Sequence, residues 1–459
     1  MKGYLTSKQI EYVFYHLNLS IDINDEIKKF FVFNTKDDFI VNNSGKIIFK
    51  LSDKKIDFPK IFQIDNIPIL FPLSSEEKFY SIVNNNLVFY HDILKSCFYL
   101  LSGYQEYNSK NLDSFGRFTF KNSVQDKLGI VDKPIVNYYF KIIETAFKEF
   151  LKFQNIELKK KTLFYNFAFF LTHDIDNVDY YTFNRLLYKI KETLGLVKTY
   201  YSFYTNIKHV LKTSLELLKL CKKQNPAWNF NYLREIEKRN NFRSAFYFLQ
   251  KDKKHHDSNY HYSEKRINSL FQYLIKEECE IGLHGTVASV VNENRLIQIL
   301  DNLNANLPKK VSGIRQHRLL YKLPQTTLNH EKVGLSYDTS LSFAEREGFR
   351  NSFCLPFKLY DFESDRMIQV WEIPLNVMDV TLFHYRHLNN SEALESVKYL
   401  IHEIKKFKGV FTLLWHNDFF DEDRFPGIKS FYEALLSYIY SEKPVNELGY
   451  EIIDKCLEN

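Results

Sequence analysis

From about residue 165 to its C-terminus the chain alternates between short apolar runs and longer amphipathic stretches, and nothing else in it restricts the fold so strongly. The runs lie at 167–172, 245–249, 280–283, 311–314, 335–337, 370–375 and 410–414. Each is short enough for a buried strand, and each is separated from the next by room for a helical crossover. Strands that alternate with helices pair in parallel, because the crossover carries the chain back to the same end of the sheet. Seven such units predict an α/β fold, a closed or nearly closed (β/α) barrel of about seven strands over 165–459. A doubly wound open sheet would produce the same alternation and is the alternative.

The preceding residues have another rhythm. Residues 1–158 read as a smaller mixed α/β domain with short strands at 30–34, 46–51 and 62–71 and helices at 87–102 and 134–153. Pro134 suits a first helical turn. Ile135, Tyr139, Ile142, Ala146, Phe150 and Phe153 recur at helical spacing, which predicts one buried stripe. The segment 113–117, Asp-Ser-Phe-Gly-Arg, reads as a loop. Polar residues and the lysines at 159–161 mark the boundary near 155–164.

Several function classes are excluded at this level. The 62 Lys and Arg exceed the 56 Asp and Glu by only six, and they are spread along the chain. Nucleic-acid binders concentrate that charge on one face or in one run. Cys97, Cys221, Cys279, Cys354 and Cys456 are far apart with no CxxC pair, so neither a disulfide framework nor a cysteine zinc site is expected. The first residues lack the apolar core of a signal peptide, and no run reaches the ~18 apolar residues of a membrane span. The expectation is a cytoplasmic protein without nucleic-acid partners. The sequence does not set its oligomeric state.

The polar residues at the ends of the apolar runs carry the chemistry. The first run ends in Thr172-His-Asp174-Ile-Asp176, the third in Gly282-Leu-His284-Gly-Thr286, the fourth in Arg315-Gln-His317, the fifth in Asp338-Thr-Ser340 and the seventh in Trp415-His416-Asn417-Asp418. In a (β/α) barrel the active site is built at the C-terminal ends of the strands. Five exits here deliver Asp, His or Arg to one rim. Side chains alternate along a strand, so Asp174 and Asp176 share a side with His173 opposite, Arg315 and His317 share a side, and Trp415 and His416 point apart.

Imidazole and carboxylate donors suit Zn²⁺, Fe²⁺ or Co²⁺, and a catalytic site needs about three protein ligands and an open position. A carboxylate that is not a ligand can serve as general base beside it. An Asp-x-Asp pair supplies one of each kind, and a histidine across the site can protonate the leaving group. Each residue also has a plainer reading. Asp174 and Asp176 could cap a helix, Arg315 could form a surface salt bridge, and His284 could be a satisfied turn histidine. Asp338 fits support or a turn cap better than reaction. Trp371 and Glu372 end no strand and read as core. His255, His256 and His261 lie in a polar stretch that reads as solvated loop.

In these residues the sequence resembles the polysaccharide deacetylase family, the NodB-homology deacetylases. The resemblance covers roughly 165–420. It implies a distorted (β/α) barrel, a divalent metal, and hydrolysis of the amide of an N-acetylated sugar, with an acetylated sugar or glycan precursor as partner. By that resemblance Asp174 is the base, Asp176 and His284 are metal ligands, Arg315 pairs with Asp174, and His416 in Leu414-Trp-His416 is the general acid. The family's second motif carries another histidine where this chain has Ala288. His317 is the candidate replacement; His173 faces the wrong way by alternation; weak or absent metal binding is the third possibility. Residues 1–158 look like an accessory domain that precedes the deacetylase domain in some bacterial proteins. Two rival readings remain open: a non-catalytic glycan-binding or assembly protein on the same fold, and a hydrolase of a non-sugar amide or imide. Trp415 is a candidate for stacking on a sugar ring.

Overall fold

The computed structural model describes residues 3–35, 45–107, 109–197, 199, 202–220, 225–251 and 257–459. Among the described residues the second part of the chain holds a ten-stranded sheet, and seven of its strands correspond to the apolar runs: β1 (Ala168–Ile175), β2 (Ser244–Leu249), β3 (Glu280–Gly285), β4 (Gly313–Gln316), β5 (Tyr337–Asp338), β6 (Arg366–Glu372) and β7 (Val410–Leu414); Phe357–Asp361, Val377–Met378 and Val445–Asn446 are the other three. The seven pair in parallel in the order β6-β5-β4-β3-β2-β1-β7. Beyond Glu372 the chain runs on. Ile373 N–H donates to the Asp338 carbonyl at 2.8 Å, and Val377–Met378 then pairs in parallel with Leu413 and Leu414 of β7. One chain segment, 366–378, therefore bridges the two ends of the sheet. The result is a mixed α/β unit with a curled sheet, consistent with a distorted barrel.

Both faces of this sheet are covered, so its strands are continuous apolar runs. All eight residues of β1 are buried. Alternation splits them into two cores. Ala168 and Phe170 pack inside the curl with Tyr247, Tyr337 and Trp371. Phe169, Leu171 and Ile175 pack outside it against helices such as Phe230–Arg239 and Asn390–Lys406. The large interior aromatics fit because a neighbouring strand gives way. A Cβ on Gly282 would collide with the Tyr247 ring, and one on Gly313 with the Tyr337 ring. The two hydroxyls meet at 2.8 Å, and Tyr337 donates on to buried Glu280 at 2.7 Å. The core thus carries a polar thread up to the site, where the Arg315 guanidinium lies over the Tyr247 ring at 4.7 Å.

In the first part of the chain Phe31–Asn34, Ile47–Lys50, Asn86–Phe89 and Tyr80–Val83 form a four-stranded sheet. Helices Ser7–Leu17, Ile93–Leu101 and Ile135–Phe153 share a core with it. That core also takes in Phe357, Leu359 and Ile368 from the hairpin formed by Phe357–Asp361 and β6. Each such side chain contributes on the order of 1.5–3 kcal/mol when fully buried. Polar contacts fix the same seam: Tyr12 Oη donates to the Lys358 carbonyl at 2.6 Å, and His16 Nε2 accepts the Lys358 N–H at 2.9 Å.

Three expectations for this part are corrected. Residues 62–71 are not one strand but a hairpin, Phe62–Ile64 with Ile67–Ile69, turned at Asp65-Asn66 with both φ positive, the pairing that a two-residue hairpin needs. The span 87–102 begins as strand and becomes helix only at Ile93, where Asp92 caps it by accepting the Lys95 N–H. Phe153 ends its helix exposed rather than within the buried stripe. His255 and His256 lie outside the described residues, as does Cys221. Among the described residues no helix is long and apolar enough to cross a membrane.

Candidate metal centre

Strand exits place the side chains. Asp174 is the seventh residue of β1 and points into the curl, as Thr172 does; His173 points out. His173 is buried beneath the outer helices, with Nδ1 2.8 Å from the Trp415 carbonyl and Nε2 2.7 Å from Glu237. The alternation read from the sequence holds here and removes His173 from the site. Register brings the neighbours in. Arg315 on β4 is paired with His284 on β3, and β3 lies beside β2, which lies beside β1.

Asp176, His284 and His317 converge. One ligand atom from each lies within 4.8 Å of the others, the group of this kind found among the described residues. His284 Nε2 is 3.3 Å from Asp176 Oδ1, and His317 Nε2 is 3.7 Å from Asp176 Oδ2. Asp176 Oδ1 is buried and has no hydrogen-bond partner. The remote ring nitrogens are both engaged: His284 Nδ1 donates to the Arg315 carbonyl at 2.8 Å, and His317 Nδ1 to Asp257 Oδ1 at 3.0 Å. A carbonyl or carboxylate on Nδ1 fixes the proton there and turns the Nε2 lone pair inward, the arrangement of metal-ligating histidines. Two imidazoles and one carboxylate are a donor set for a divalent transition metal. The residues fit such an ion.

Electrostatics agree with a cation at this point. Burial alone would raise the Asp176 carboxyl, but the imidazoles of His317 and His284 outweigh it and hold it well below the usual range. Burial opposes charge on His317, yet Asp176 and Asp257 push its pKa up to about 9. The carboxylates draw positive charge onto the ring when nothing else supplies it.

Asp174 stands beside the triad without belonging to it. Its Oδ1 accepts from Arg315 Nη1 at 2.9 Å, and its Oδ2 is 3.6 Å from His284 Nε2. Arg315 is wholly buried and held at every nitrogen: Nε on the Thr339 carbonyl at 2.9 Å, Nη1 also on Thr172 Oγ1 at 2.9 Å, and Nη2 on Thr339 Oγ1 at 3.3 Å. It is no surface salt bridge. Opposite, His416 leaves β7 and is held by Asp379 at the end of the segment that bridges the sheet. Burial lowers the His416 pKa, but Asp379 foremost, with Asp176 and Asp174, pushes it up to about 10.

Asp174, Asp176, His317 and His416 line one cavity of about 230 Å³. Its wall includes Met378 and Val380, and Phe115 and Arg117 from the loop at 113–117. Arg117 is pinned by Asp113 at 2.7 Å and donates to the Arg318 carbonyl at 3.1 Å and to Tyr385 Oη at 3.1 Å. The first part of the chain therefore completes the site.

Two expectations fail. Trp415 is buried among Phe383, Phe431 and Tyr432, so it cannot stack on a bound sugar. Glu372 does end a strand; its Oε1 accepts the Leu341 N–H at 2.8 Å. Asp338 keeps a supporting place, with Ser340 donating to it and Ser340 Oγ accepting the Gln316 N–H at 2.8 Å. Ala288 sits in the short helical turn Val287–Val290 and offers no donor atom. Asp257, Asp379, Arg117 and Phe115 escaped the sequence reading. Asp379 comes directly after Val377–Met378 and becomes a strand exit once the run at 370–375 is extended that far; no pattern in the sequence marks the other three.

A family model, described as a family of unknown function (DUF7033), matches residues 4–152, about a third of the chain. No curated protein matches. Among solved structures, the chain is similar to a protein assigned as a polysaccharide deacetylase from Mycobacterium smegmatis, at 15% identity and TM-score 0.41, over 64% of this chain and 91% of that one. It is also similar to a CE4 family pseudoenzyme from Bacillus anthracis, at 10% identity and TM-score 0.32, over 63% and 66%. A third similar structure is a family 4 acetyl xylan esterase from Clostridium thermocellum in complex with a cobalt ion, at 8% identity and TM-score 0.30, over 62% and 90%.

Proposed function

We propose that the chain is a metal-dependent hydrolase of a non-peptide carbon–nitrogen bond, removing the acetyl group from the nitrogen of an acetamido sugar in a glycan or glycan precursor. One observation carries this reading. A three-donor group, Asp176, His284 and His317, stands beside a separate carboxylate, Asp174, and Asp174, Asp176 and His317 share one cavity with a separate imidazole, His416. A structural metal site needs ligands only; flanking groups that do not ligate are what hydrolysis needs.

Asp176, His284 and His317 would hold the ion, Zn²⁺, Fe²⁺ or Co²⁺. Such an ion would supply Lewis-acid polarisation of the acetamide carbonyl and a water acidic enough to react near neutral pH. Asp174 takes a proton from the attacking water, with Arg315 fixing its orientation. His416 gives a proton to the departing sugar amine as the carbon–nitrogen bond breaks, so acetamide and water become amine and acetate. Asp379 keeps His416 charged and aimed. His317 stands in for the histidine that Ala288 replaces, which favours hydrolysis over a purely glycan-binding role.

The test is elemental analysis of the purified chain, then acetate release from a panel of acetamido sugars and oligosaccharides with the ion found, beside cyclic imides. Acetate release that disappears in Asp174→Asn supports the reading. Stoichiometric sugar binding without acetate release would favour a glycan-binding protein, and turnover of imides alone a non-sugar amidohydrolase.

A further inference from the structure

Between β1 and β2 the chain inserts two helices, α1 (Phe183–Thr193) and α2 (Phe203–Leu217), packed on each other. Their buried positions are polar, Lys189 and Glu192 on α1 and Asn206, His209 and Thr213 on α2, while Leu186, Ile190, Ile207 and Val210 are half-buried. The side chains they and their flanks expose include Phe183, Tyr188, Leu196, Phe203, Tyr204 and Leu218. Twelve of the 26 large apolar side chains exposed among the described residues fall within 183–220. A surface helix normally turns its apolar stripe inward, and a contiguous exposed apolar face marks an interaction site.

The polar side is tied down. Lys208 pairs with Asp423 at 2.7 Å, Lys212 pairs with the same carboxylate, and Arg185 lies 3.8 Å from Asp418. Asp418 and Asp423 come after His416 on the exit of β7. The hairpin therefore stands on the rim that carries the cavity, with its apolar side to solvent.

Charge decides what covers it. Residues 183–220 hold seven Lys and Arg against two Glu; Arg185, Lys189, Lys208 and Lys212 are paired with carboxylates, while Lys191 and Lys219 are exposed among the apolar side chains. A second copy of the chain, docked through the same face, would bring Lys191 and Lys219 of both copies into one apolar interface, because a two-fold interface is self-complementary. An anionic lipid surface meets both requirements at once: headgroups for the lysines and the acyl boundary for Phe, Tyr and Leu. Exposed Phe183, Tyr188, Phe203 and Tyr204 are of the amphipathic or aromatic kind enriched at that depth.

We propose that this hairpin seats the protein on an anionic membrane surface, its helices lying in the headgroup plane and the cavity opening beside them. The inference stands on α1 and α2 alone and does not require the hydrolase reading.

Co-sedimentation of the full chain with vesicles tests it. Binding is expected to phosphatidylcholine vesicles containing phosphatidylglycerol, and on the order of tenfold weaker binding to phosphatidylcholine alone. Phe203→Glu with Tyr204→Glu should abolish binding, and Lys191→Glu with Lys219→Glu should weaken it and lower its salt sensitivity. These side chains are solvent-exposed, so an unchanged thermal melt accompanies each variant. A Tyr204→Trp variant should show a blue-shifted emission on anionic vesicles. Failure of the wild-type chain to sediment with anionic vesicles overturns the proposal. So does a dimer in solution that the Phe203→Glu, Tyr204→Glu variant splits while vesicle binding is unaffected.

Discussion

Asp379 holds His416 from two sides: Oδ2 accepts the His416 backbone N–H at 2.6 Å, and Oδ1 meets its Nδ1 at 2.8 Å. The pair fixes ring orientation and leaves Nε2 for the cavity. Asp379 is a positioning residue, and its removal should be legible in a pH profile. In the proposed reaction His416 acts in its protonated form, so activity should be lost as pH rises through its pKa. With Asp379→Asn the leading cause of the raised pKa is gone, and the alkaline limb of kcat should move to lower pH while metal content stays constant. His416→Ala should lower kcat by about 10²–10⁴ across the whole range.

The roles of the two β1 carboxylates should separate. Asp174→Asn is expected to reduce turnover by about 10²–10⁴ and retain the metal. Asp176→Ala, His284→Ala and His317→Ala should lose both. Metal analysis on each purified variant, beside acetate release, distinguishes them.

Asp257 should matter at one remove. Its carboxylate orients His317, so Asp257→Asn is expected to weaken metal affinity by about 10–100-fold. Competition with a chelating dye reads this directly, and excess metal should restore turnover to Asp257→Asn but not to Asp174→Asn.

The wall supplied by the loop at 113–117 should affect substrate capture more than chemistry. Phe115→Ala is expected to raise KM with little change in kcat. A chain cut to 165–459 uncovers Phe353, Phe357 and Ile368, which now share a core with the first part. Size-exclusion chromatography of that fragment should show aggregation.

His16 predicts an acid-sensitive seam. It is buried, its Nδ1 is 2.8 Å from the Tyr12 carbonyl, and its Nε2 accepts the Lys358 N–H. Burial lowers its pKa to about 3. The unfolded chain, with an ordinary histidine pKa of about 6.5, then binds a proton that the folded chain refuses. Stability should therefore fall as pH drops from about 6.5 towards 3, by up to ~1.4 kcal/mol per pH unit from this group. Denaturant titrations of the wild type and His16→Gln across that window should differ in slope; equal slopes would remove His16 from the account.

Much of the curled sheet was legible. All seven apolar runs became strands, or passed within a few residues of one, because a strand buried on both faces must be apolar along its length. The sides taken by Asp174, Asp176 and His173 were legible too. The hairpin at 62–71 was not, since its turn depends on two residues of positive φ, and nothing local separated the strand at Asn86–Phe89 from the helix after it.

Periodicity along the chain is enough to place the strands, their ends and the neighbours that share a face, because backbone geometry over a few residues sets all three. Partnerships between distant side chains come from the folded arrangement instead. Asp257 reaches His317 across 60 residues, Asp379 reaches His416 across 37, and Arg117 reaches the Arg318 carbonyl across 201. The same long-range packing buried Trp415 and left large apolar side chains of α1 and α2 exposed. A side chain's orientation follows from its own strand, but the atom it meets depends on how distant segments close around it.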